Sequence, residues 1–309
     1  MDRASRIFVA GHRGMVGSAV VRLLRQSGYT GILTRTRDEL DLLDQRRVRR
    51  FFRELQPRYV VLAAARVGGI QANNDFQADF LYENLVIQTN VIGAAVDEGS
   101  DKLLFLGSSC IYPRMATQPI DEAALLTGPL EPTNEGYAIA KIAGMKLCEK
   151  IVLQHGRRFV SAMPTNLYGP GDDYRSDQAH VIPMLLRRIH RAKATGAPTV
   201  TIWGSGSPLR EFLHVDDLAR ALLLMLERYE EPTHVNIGSG EEISIRELAA
   251  LIAETVGYRG ELVWDRSKPD GTPRKLLDSS RIRALGWSPR IGLRDGLAST
   301  YREALAALD

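Results

Sequence analysis

Short apolar runs and amphipathic segments alternate through the first half of the chain. Residues 6–10 form an apolar run that ends at a glycine, and residues 17–26 then place apolar side chains at helical spacing. The same order recurs, with predicted strands at 31–36, 58–64, 102–106 and 158–163 and predicted helices ending near 55, 97 and 155. Asp44 is the candidate N-cap of the second predicted helix. Such repeated units predict an α/β fold with a doubly wound parallel sheet.

The pattern changes after Pro164. A turn cluster at 169–173 leads into a basic helix, and further strand and helix patterns follow. We predict a first domain at 1–165, to which residues 212–240 return, and a smaller C-terminal lobe formed by 166–211 and 241–309. The loop 109–136 follows a strand end and contains four prolines. Because long loops after strand ends usually carry function when they are ordered, we expect a functional role for it.

A glycine-rich loop joins the first predicted strand to the first predicted helix. Gly11, Gly14 and Gly17 have the spacing that allows a tight turn and lets a pyrophosphate approach the amides at a helix start. This context favours a dinucleotide-binding Rossmann domain over a purely structural turn. Arg37 is the twentieth residue after Gly17, where an acidic residue would hold a ribose hydroxyl. A guanidinium there suits a 2′-phosphate, so NADP is favoured over NAD, with Arg13 as a second candidate contact and solvated surface arginines as the alternative.

Three residues form a candidate catalytic set. Tyr137 and Lys141 are four apart at the start of a predicted helix and therefore share one face. Ser108 follows the fourth predicted strand, at the edge where open α/β sheets bind ligands. An ammonium beside a tyrosine favours the phenolate and lowers the phenol's pKa, which would suit acid–base catalysis. The alternative is a structural tyrosine on a helix face.

Further candidates lie near this set. Cys110 is two residues after Ser108, so its thiol faces the same pocket if the backbone stays extended, although cysteine is also a common buried hydrophobe. His180 opens a predicted helix and fits either a general acid or an N-terminal cap. Cations suited to a diphosphate are present further along the chain, at Arg188, Arg210 and Lys275.

The composition narrows the class of protein. The chain has 309 residues, 44% of them hydrophobic and 25% charged, and a formal net charge of +3, which is too small to indicate nucleic acid or a membrane surface as a partner. No run approaches the roughly 18 apolar residues of a membrane span. Cys110 and Cys148 allow at most one disulfide, and the start of the chain is not signal-like. We expect a cytoplasmic protein without a metal, in which Cys148 is a core residue.

Together these motifs resemble the extended short-chain dehydrogenase/reductases. The segments that carry the resemblance are 11–18, 107–113, 137–141, 163–170, 180–183, 203–206, 210–217 and 268–275, so it covers nearly the whole chain. The glycine loop and the Tyr137/Lys141 pair are general to that superfamily. The combination of His12–Arg13, Cys110 and His180 resembles one branch of it, whose members epimerise GDP-4-keto-6-deoxy-D-mannose at C3 and C5 and then reduce C4 with NADPH.

The resemblance implies roles for particular residues. It implies that Ser108, Tyr137 and Lys141 carry the reduction and that Cys110 and His180 are the acid–base pair of epimerisation. The implied cofactor-binding residues are Gly11, His12, Arg13, Gly14, Met15, Val16, Gly17, Arg37, Asp38, Leu106, Gly107, Lys141, Pro164, Thr165, Asn166, Leu167 and His180. Those implied around the nucleotide sugar are Arg188, Trp203, Arg210, Asp270 and Lys275. The resemblance also implies a homodimer, which no pattern in the helices indicates.

Other functions remain to be weighed. A 4-epimerase or 4,6-dehydratase that retains NAD is disfavoured, because dehydratases of this superfamily carry an Asp-Glu pair where this chain has Ser109-Cys110. A related GDP-deoxysugar enzyme such as a colitose synthase stays open. A catalytically inactive NADP-binding scaffold is expected to lose one of Ser108, Tyr137 and Lys141, and all three are present.

Overall fold

The computed structural model describes residues 1–174, 180–268 and 270–308. Its strands are β1 (Ile7–Ala10), β2 (Ile32–Leu33), β3 (Tyr59–Leu62), β4 (Lys102–Leu106), β5 (Arg158–Pro164), β6 (Asn166–Tyr168), β7 (Thr199–Trp203), β8 (Leu209–His214), β9 (Val235–Ile237), β10 (Glu242–Ser244), β11 (Glu261–Asp265) and β12 (Arg274–Lys275). Its α-helices are α1 (Met15–Gln26), α2 (Gln45–Leu55), α3 (Ile70–Asp75), α4 (Gln77–Asp97), α5 (Glu135–His155), α6 (Val181–Thr195), α7 (Val215–Arg228), α8 (Ile245–Val256), α9 (Ser280–Ala284) and α10 (Leu293–Leu308). Short 3₁₀ helices lie at Ser109–Ile111, Glu122–Ala124 and Pro132–Asn134.

A parallel sheet with the strand order β2-β1-β3-β4-β5-β9 forms the larger core. Every residue of β1, β3 and β4 is buried, and, apart from Lys102 at the start of β4, their sequences are continuously apolar. The apolar sides of α1 and α7 pack on one face of the sheet, and those of α2, α4 and α5 pack on the other. The doubly wound α/β architecture predicted from the alternating pattern is therefore confirmed.

Smaller sheets lie beyond β5 in the sequence. Strand β8 pairs antiparallel with β10 and parallel with both β6 and β12, while β7 pairs with β11. Helices α6, α8 and α10 bury their apolar sides in a separate cluster against these strands. The segment after β8 leaves this region, because α7 packs against α1 and β9 pairs with β5 in the large sheet.

Most predicted elements coincide with the observed ones, including the cap of α2. The side chain of Asp44 accepts hydrogen bonds from the amides of Arg46 and Arg47 at 2.9 and 3.1 Å. One local prediction is wrong, because the second strand ends at Leu33 rather than at residue 36. The predicted long helix is confirmed as α4, and a short helix that was not predicted, α3, precedes it. In the described ranges, no helix has the length and apolarity needed to cross a bilayer.

Candidate active site

A cavity of about 830 Å³ lies at the carboxyl edge of the large sheet. The segments that follow successive parallel strands line it, because the carboxyl ends of parallel strands meet at one edge. These segments are 10–17 after β1, 35–38 after β2, 63–69 after β3, 106–110 at the end of β4 and 164–167 at the end of β5. Residues 180–182 at the start of α6, Phe212 and Lys275 line the same cavity from the smaller sheets and helices.

The cavity gathers most of the residues predicted to bind a cofactor. They are Gly11, His12, Arg13, Gly14, Met15, Val16, Gly17, Arg37, Asp38, Leu106, Gly107, Pro164, Thr165, Asn166, Leu167 and His180. Lys141 does not line the cavity and is 4% exposed, just behind it. Ser108, Cys110, Tyr137 and Lys275 line it as well.

The glycine loop leaves the start of α1 open to an anion. Gly11 has φ +86°, and a side chain there would place its Cβ 2.7 Å from the backbone nitrogen of Ala64. Gly14 occupies the N-cap position of α1, which lies wholly within the described ranges, and neither a side-chain cap nor an acidic residue occupies that first turn. The amides of the turn therefore have no side-chain partner, which fits a pyrophosphate at the positive end of the helix.

Three arginines at the cavity, Arg13 after β1 and Arg35 and Arg37 after β2, differ in what they contact. Arg35 lines the cavity too, but it donates a hydrogen bond to the Thr34 carbonyl at 2.8 Å, and its guanidinium lies 5.5 Å from the centre of the Phe51 ring. Arg13 and Arg37, by contrast, are exposed at the cavity. Their position suits contact with an anionic group at the outer end of a bound dinucleotide.

Lys141 is buried and Tyr137 is half-buried beside it in the cavity wall, and the structure corrects one prediction about them. The Lys141 ammonium donates a hydrogen bond to the Leu106 carbonyl at 2.8 Å and lies 5.6 Å from the centre of the Tyr137 ring. Burial lowers the pKa of Lys141 to about 8 and raises the pKa of Tyr137 well above its ordinary value. The structure gives the opposite of the expected lowering of the tyrosine pKa, because loss of water dominates and a negative charge on Cys110 would act in the same direction. Tyr137 is therefore a protonated acid in this structure.

Cys110 reaches the cavity by a different route from the one predicted. The chain does not stay extended after Ser108 but turns into the 3₁₀ helix that contains Cys110. The Cys110 amide donates to the Ser108 hydroxyl at 3.4 Å, and both side chains line the cavity. Burial raises the pKa of the Cys110 thiol, while Lys275, Ser108 and Lys141 act in the opposite direction. Cations that favour the thiolate form, which a base would need, are therefore present near Cys110. Cys148, by contrast, is a buried free cysteine in the core, as predicted.

His180 lies at the N-cap position of α6. Its side chain makes no capping hydrogen bond there, as far as the described part of the chain extends, and it is exposed. It borders the cavity that contains Cys110. Of the two roles that the sequence left open, this placement favours a functional one over capping.

The remaining predicted substrate residues lie outside the cavity lining but are connected to it. Arg188 on α6 places its guanidinium 5.6 Å from the centre of the Trp203 ring, which is 51% exposed. Arg210 is the register partner of Lys275 in the pairing of β8 with β12. An exposed indole beside cations is suited to stacking on a planar base or sugar.

Asp270 has a structural partner of its own. Its carboxylate accepts hydrogen bonds from the amide and the hydroxyl of Ser205 at 2.7 and 2.8 Å. It also favours the charged form of Arg210 electrostatically. Asp270 therefore holds the turn after Trp203 and acts on the Arg210 guanidinium through its charge. Pro269, in the same predicted segment, lies outside the described residues.

Sequence reasoning missed an ion-paired arginine in the cavity wall. Arg66 follows β3 and pairs with Glu83 at 2.5 Å and with Asp79 at 3.3 Å. The side chain of Asn84 bonds to both the amide and the carbonyl of Arg66. The available signal was positional, since residues after the third buried strand must reach the same sheet edge.

A buried carboxylate joins the cavity floor to the smaller sheets. Glu211 is fully buried, and its carboxylate accepts from the amides of Gly240 and Leu277 at 2.7 and 3.1 Å. Its backbone carbonyl accepts from the side chains of Thr165 and Asn166. The predicted cofactor segment after β5 is thereby fixed to β8.

Residues 7–238 match the model of the NAD dependent epimerase/dehydratase family, and the chain belongs to this family. It is 60% identical over 300 residues to GDP-L-fucose synthase 1 of Arabidopsis thaliana, covering 97% of this chain and 93% of the relative. It is 56% identical over 306 residues to the GDP-L-fucose synthase of Escherichia coli (strain K12), covering 96% and 95% of the two chains.

More distant relatives also match nearly the whole chain. The GDP-L-colitose synthase of Yersinia pseudotuberculosis is 38% identical over 297 residues, covering 96% of each chain. Among solved structures, a GDP-L-fucose synthetase from Naegleria fowleri bound to NADP is 27% identical, with a TM-score of 0.90 over 99% of this chain and 95% of the other.

Proposed function

We propose that this chain is a GDP-L-fucose synthase, which epimerises GDP-4-keto-6-deoxy-D-mannose at C3 and C5 and then reduces C4 with NADPH. The observation that carries the proposal is one cavity lined by two sets of residues, Cys110 with His180 and Ser108 with Tyr137. The 60% and 56% identities to GDP-L-fucose synthases support this substrate. The alternative, a colitose synthase, has the weaker support of 38% identity.

NADP fits the glycine-loop end of the cavity. The open first turn of α1 suits its pyrophosphate, and the exposed guanidinium groups of Arg13 and Arg37 suit its 2′-phosphate. Residues 164–167, held by the Glu211 carbonyl, complete the floor of this end. When bound, the reduced cofactor supplies the hydride for C4.

The epimerisation rests on Cys110 and His180. The ketone at C4 acidifies the hydrogens at C3 and C5, so one base and one acid at opposite faces of the sugar can invert both centres in turn. Cys110 removes the proton as a thiolate, and His180 returns a proton from the other side. Burial raises the pKa of Cys110, and the positive charge of Lys275 opposes this by favouring the thiolate.

The reduction rests on Tyr137 and Ser108. Burial keeps the Tyr137 phenol protonated, so it can donate its proton to the C4 oxygen as that oxygen gains charge. The Ser108 hydroxyl, at the end of β4, orients the carbonyl. Lys141 fixes the end of β4 through the Leu106 carbonyl and is a positive charge behind Tyr137. Arg188, Trp203, Arg210 and Asp270 hold the GDP portion beyond the cavity.

The homodimer and the cytoplasmic location belong to the same proposal. Apolar side chains on the outer sides of α4 and α5 are exposed, with Tyr82 at 67% and Ile139 at 42%. A second copy packing on these helices would bury them. Both cysteines are free thiols, which suits a reducing compartment. Sedimentation velocity of the purified protein tests the dimer.

The decisive experiment follows the sugar in D₂O by NMR. The enzyme with GDP-4-keto-6-deoxy-D-mannose should place deuterium at C3 and C5 without cofactor, and adding NADPH should give GDP-L-fucose. Cys110→Ser should lose most of the exchange while still binding NADPH, because a serine hydroxyl is a far weaker acid than a thiol. Cys148→Ser is the matched control, since Cys148 is buried in the core. Absence of exchange in the unmodified protein, or a product other than GDP-L-fucose, would contradict the proposal.

A further inference from the structure

A buried polar network begins two residues after Cys110, and the proposed chemistry does not use it. Tyr112 is 3% exposed, and its hydroxyl donates a hydrogen bond to the Asn236 side-chain oxygen at 2.5 Å. The same hydroxyl oxygen lies 3.0 Å from Nε2 of His234. Asn236 and His234 belong to β9 and the residue before it, on the far side of β5 from Cys110. A buried tyrosine with two side-chain partners is a strong local constraint.

The direction of each hydrogen bond in the network is determined. Asn236 donates through Nδ2 to the Ile120 carbonyl at 3.0 Å, so its Oδ1 faces Tyr112 as an acceptor. The Tyr112 hydroxyl must then donate to Asn236, and its oxygen accepts from the Nε2–H of His234. Burial lowers the pKa of His234 to about 4, which keeps this ring neutral with one proton to donate. Each donor therefore has an acceptor.

The same asparagine holds the segment that leads to Lys275. The Ile120 amide donates to the Leu276 carbonyl at 2.8 Å, and the Asp278 amide donates to the Ile120 carbonyl at 2.8 Å. Lys275 is the residue directly before this ladder, and its side chain lines the cavity. The Asn236 side chain thus bonds to Tyr112, two residues after Cys110, and to Ile120, which forms an isolated bridge with Leu277, two residues after Lys275.

We propose that Tyr112 and Asn236 are positioning residues that fix the separation between the Cys110 thiol and the Lys275 ammonium. This inference rests on the proposed function, in which that ammonium favours the thiolate. The titratable groups that face the thiol are Lys275 from β12, Lys141 and Tyr137 from α5, with the Ser108 hydroxyl at the end of β4. Lys275 has the largest electrostatic effect on it. A small displacement of Lys275 should therefore change the reactivity of the thiol more than an equal displacement of the other cation, Lys141.

The test is the pH profile of Cys110 alkylation by iodoacetamide, read on the Cys110 peptide by mass spectrometry. Tyr112→Phe removes one hydroxyl and should slow alkylation near neutral pH by about fivefold and move the profile to higher pH. Tyr258→Phe is the matched control, because it also removes a hydroxyl that bonds to a carbonyl, that of Ala197, in another cluster. Its profile should equal that of the unmodified protein.

Asn236→Leu is the second variant. It removes the hydrogen bonds of Asn236 to Tyr112 and to Ile120 without adding charge, and it provides the test if Tyr112→Phe does not fold. In the otherwise unmodified protein, Lys275→Gln should move the pH profile of Cys110 alkylation to higher pH. In the Tyr112→Phe background, the same substitution should move that profile much less. A profile in Tyr112→Phe and Asn236→Leu that equals the Tyr258→Phe control would overturn the positioning role. Alkylation requires no sugar, so this result is independent of deuterium exchange in the unmodified enzyme, which tests the proposed function.

Discussion

Replacing Lys141 by methionine should separate a catalytic role from a structural one. The side chain is 4% exposed, and its ammonium has one described hydrogen bond, to the Leu106 carbonyl. Methionine fills a similar volume without the charge. We expect reduction of the keto sugar to slow by roughly 10²-fold or more, because the positive charge behind Tyr137 is gone. We also expect the variant to unfold no more easily than the unmodified protein.

The magnitude follows from the shifted pKa. Burial lowers the pKa of Lys141 from 10.5 to about 8, and the difference corresponds to about 3 kcal/mol of unfavourable free energy for keeping the ammonium charged in the folded state. The hydrogen bond to the Leu106 carbonyl returns about 1.5–3 kcal/mol, the range for a charged donor. The balance predicts that Lys141→Met raises the free energy of unfolding by about 0–2 kcal/mol near neutral pH.

Lys102 provides the matched control. It is 1% exposed, its pKa is also lowered to about 8, and no described group accepts a hydrogen bond from its ammonium. It lies at the start of β4, at the opposite end of that strand from Ser108. Lys102→Met should therefore raise the free energy of unfolding by up to about 3 kcal/mol and leave the reduction unchanged.

The assay is urea unfolding of both variants at a series of pH values. Because the folded-state pKa is lowered, the cost of the buried ammonium is fully present below pH 8 and disappears as pH rises from about 8 to about 10.5. The advantage of each methionine variant should shrink across that window. A loss of more than about 2 kcal/mol in Lys141→Met at neutral pH, or a near-normal rate of reduction, would refute the reasoning.

Other predictions concern single steps. Arg37→Ala should raise KM for NADPH by the factor that corresponds to the loss of one charge-assisted hydrogen bond, about 1.5–3 kcal/mol, and should raise KM for NADH less. Equal use of both cofactors by the unmodified protein would contradict this prediction. Tyr137→Phe should reduce kcat for reduction by roughly 10²–10⁴ without weakening NADPH binding, and near-normal oxidation of NADPH would show that another group supplies the proton. Since burial raises the Cys110 pKa, deuterium exchange at C3 and C5 should rise about tenfold per pH unit from pH 6 to 8, and a flat profile would exclude the thiol as base.

The convergence of the candidate residues was predictable from the order of elements. Gly11, Ser108 and Pro164 each lie directly after or at the end of a buried parallel strand, and the carboxyl ends of such strands meet at one edge. Cys110 reaches the same cavity although the backbone beyond Ser108 turns rather than staying extended. Because Cys110 is only two residues after Ser108, its place in the sequence was enough to predict that it lies at the cavity, without knowledge of the backbone path.

The protonation states and the supporting contacts were not predictable. The spacing of Tyr137 and Lys141 shows that they share a helix face, but burial, which reverses the expected shift of the tyrosine pKa, depends on how the surrounding elements pack. The Asn236 side chain bonds to Ile120, 116 residues away, and nothing local distinguishes this asparagine from one in any strand. The ion pair of Arg66 and Glu83 similarly depends on where α4 lies against the loop after β3. The domain boundaries stay a prediction.

Under the proposed function, one cavity must contain both a side chain that donates a proton and a side chain that removes one. Burial raises the pKa of both the Tyr137 phenol and the Cys110 thiol; under the proposed function, this favours the acid for reduction and disfavours the base for epimerisation. Lys275 opposes that shift at Cys110 more strongly than Lys141 does, and Lys141 directs its hydrogen bond to the Leu106 carbonyl. In the proposed mechanism, both activities share one cavity because the cation from β12 acts on the Cys110 thiol and has no resolved effect on the Tyr137 phenol. Changes that move Lys275 should therefore affect epimerisation first and reduction little.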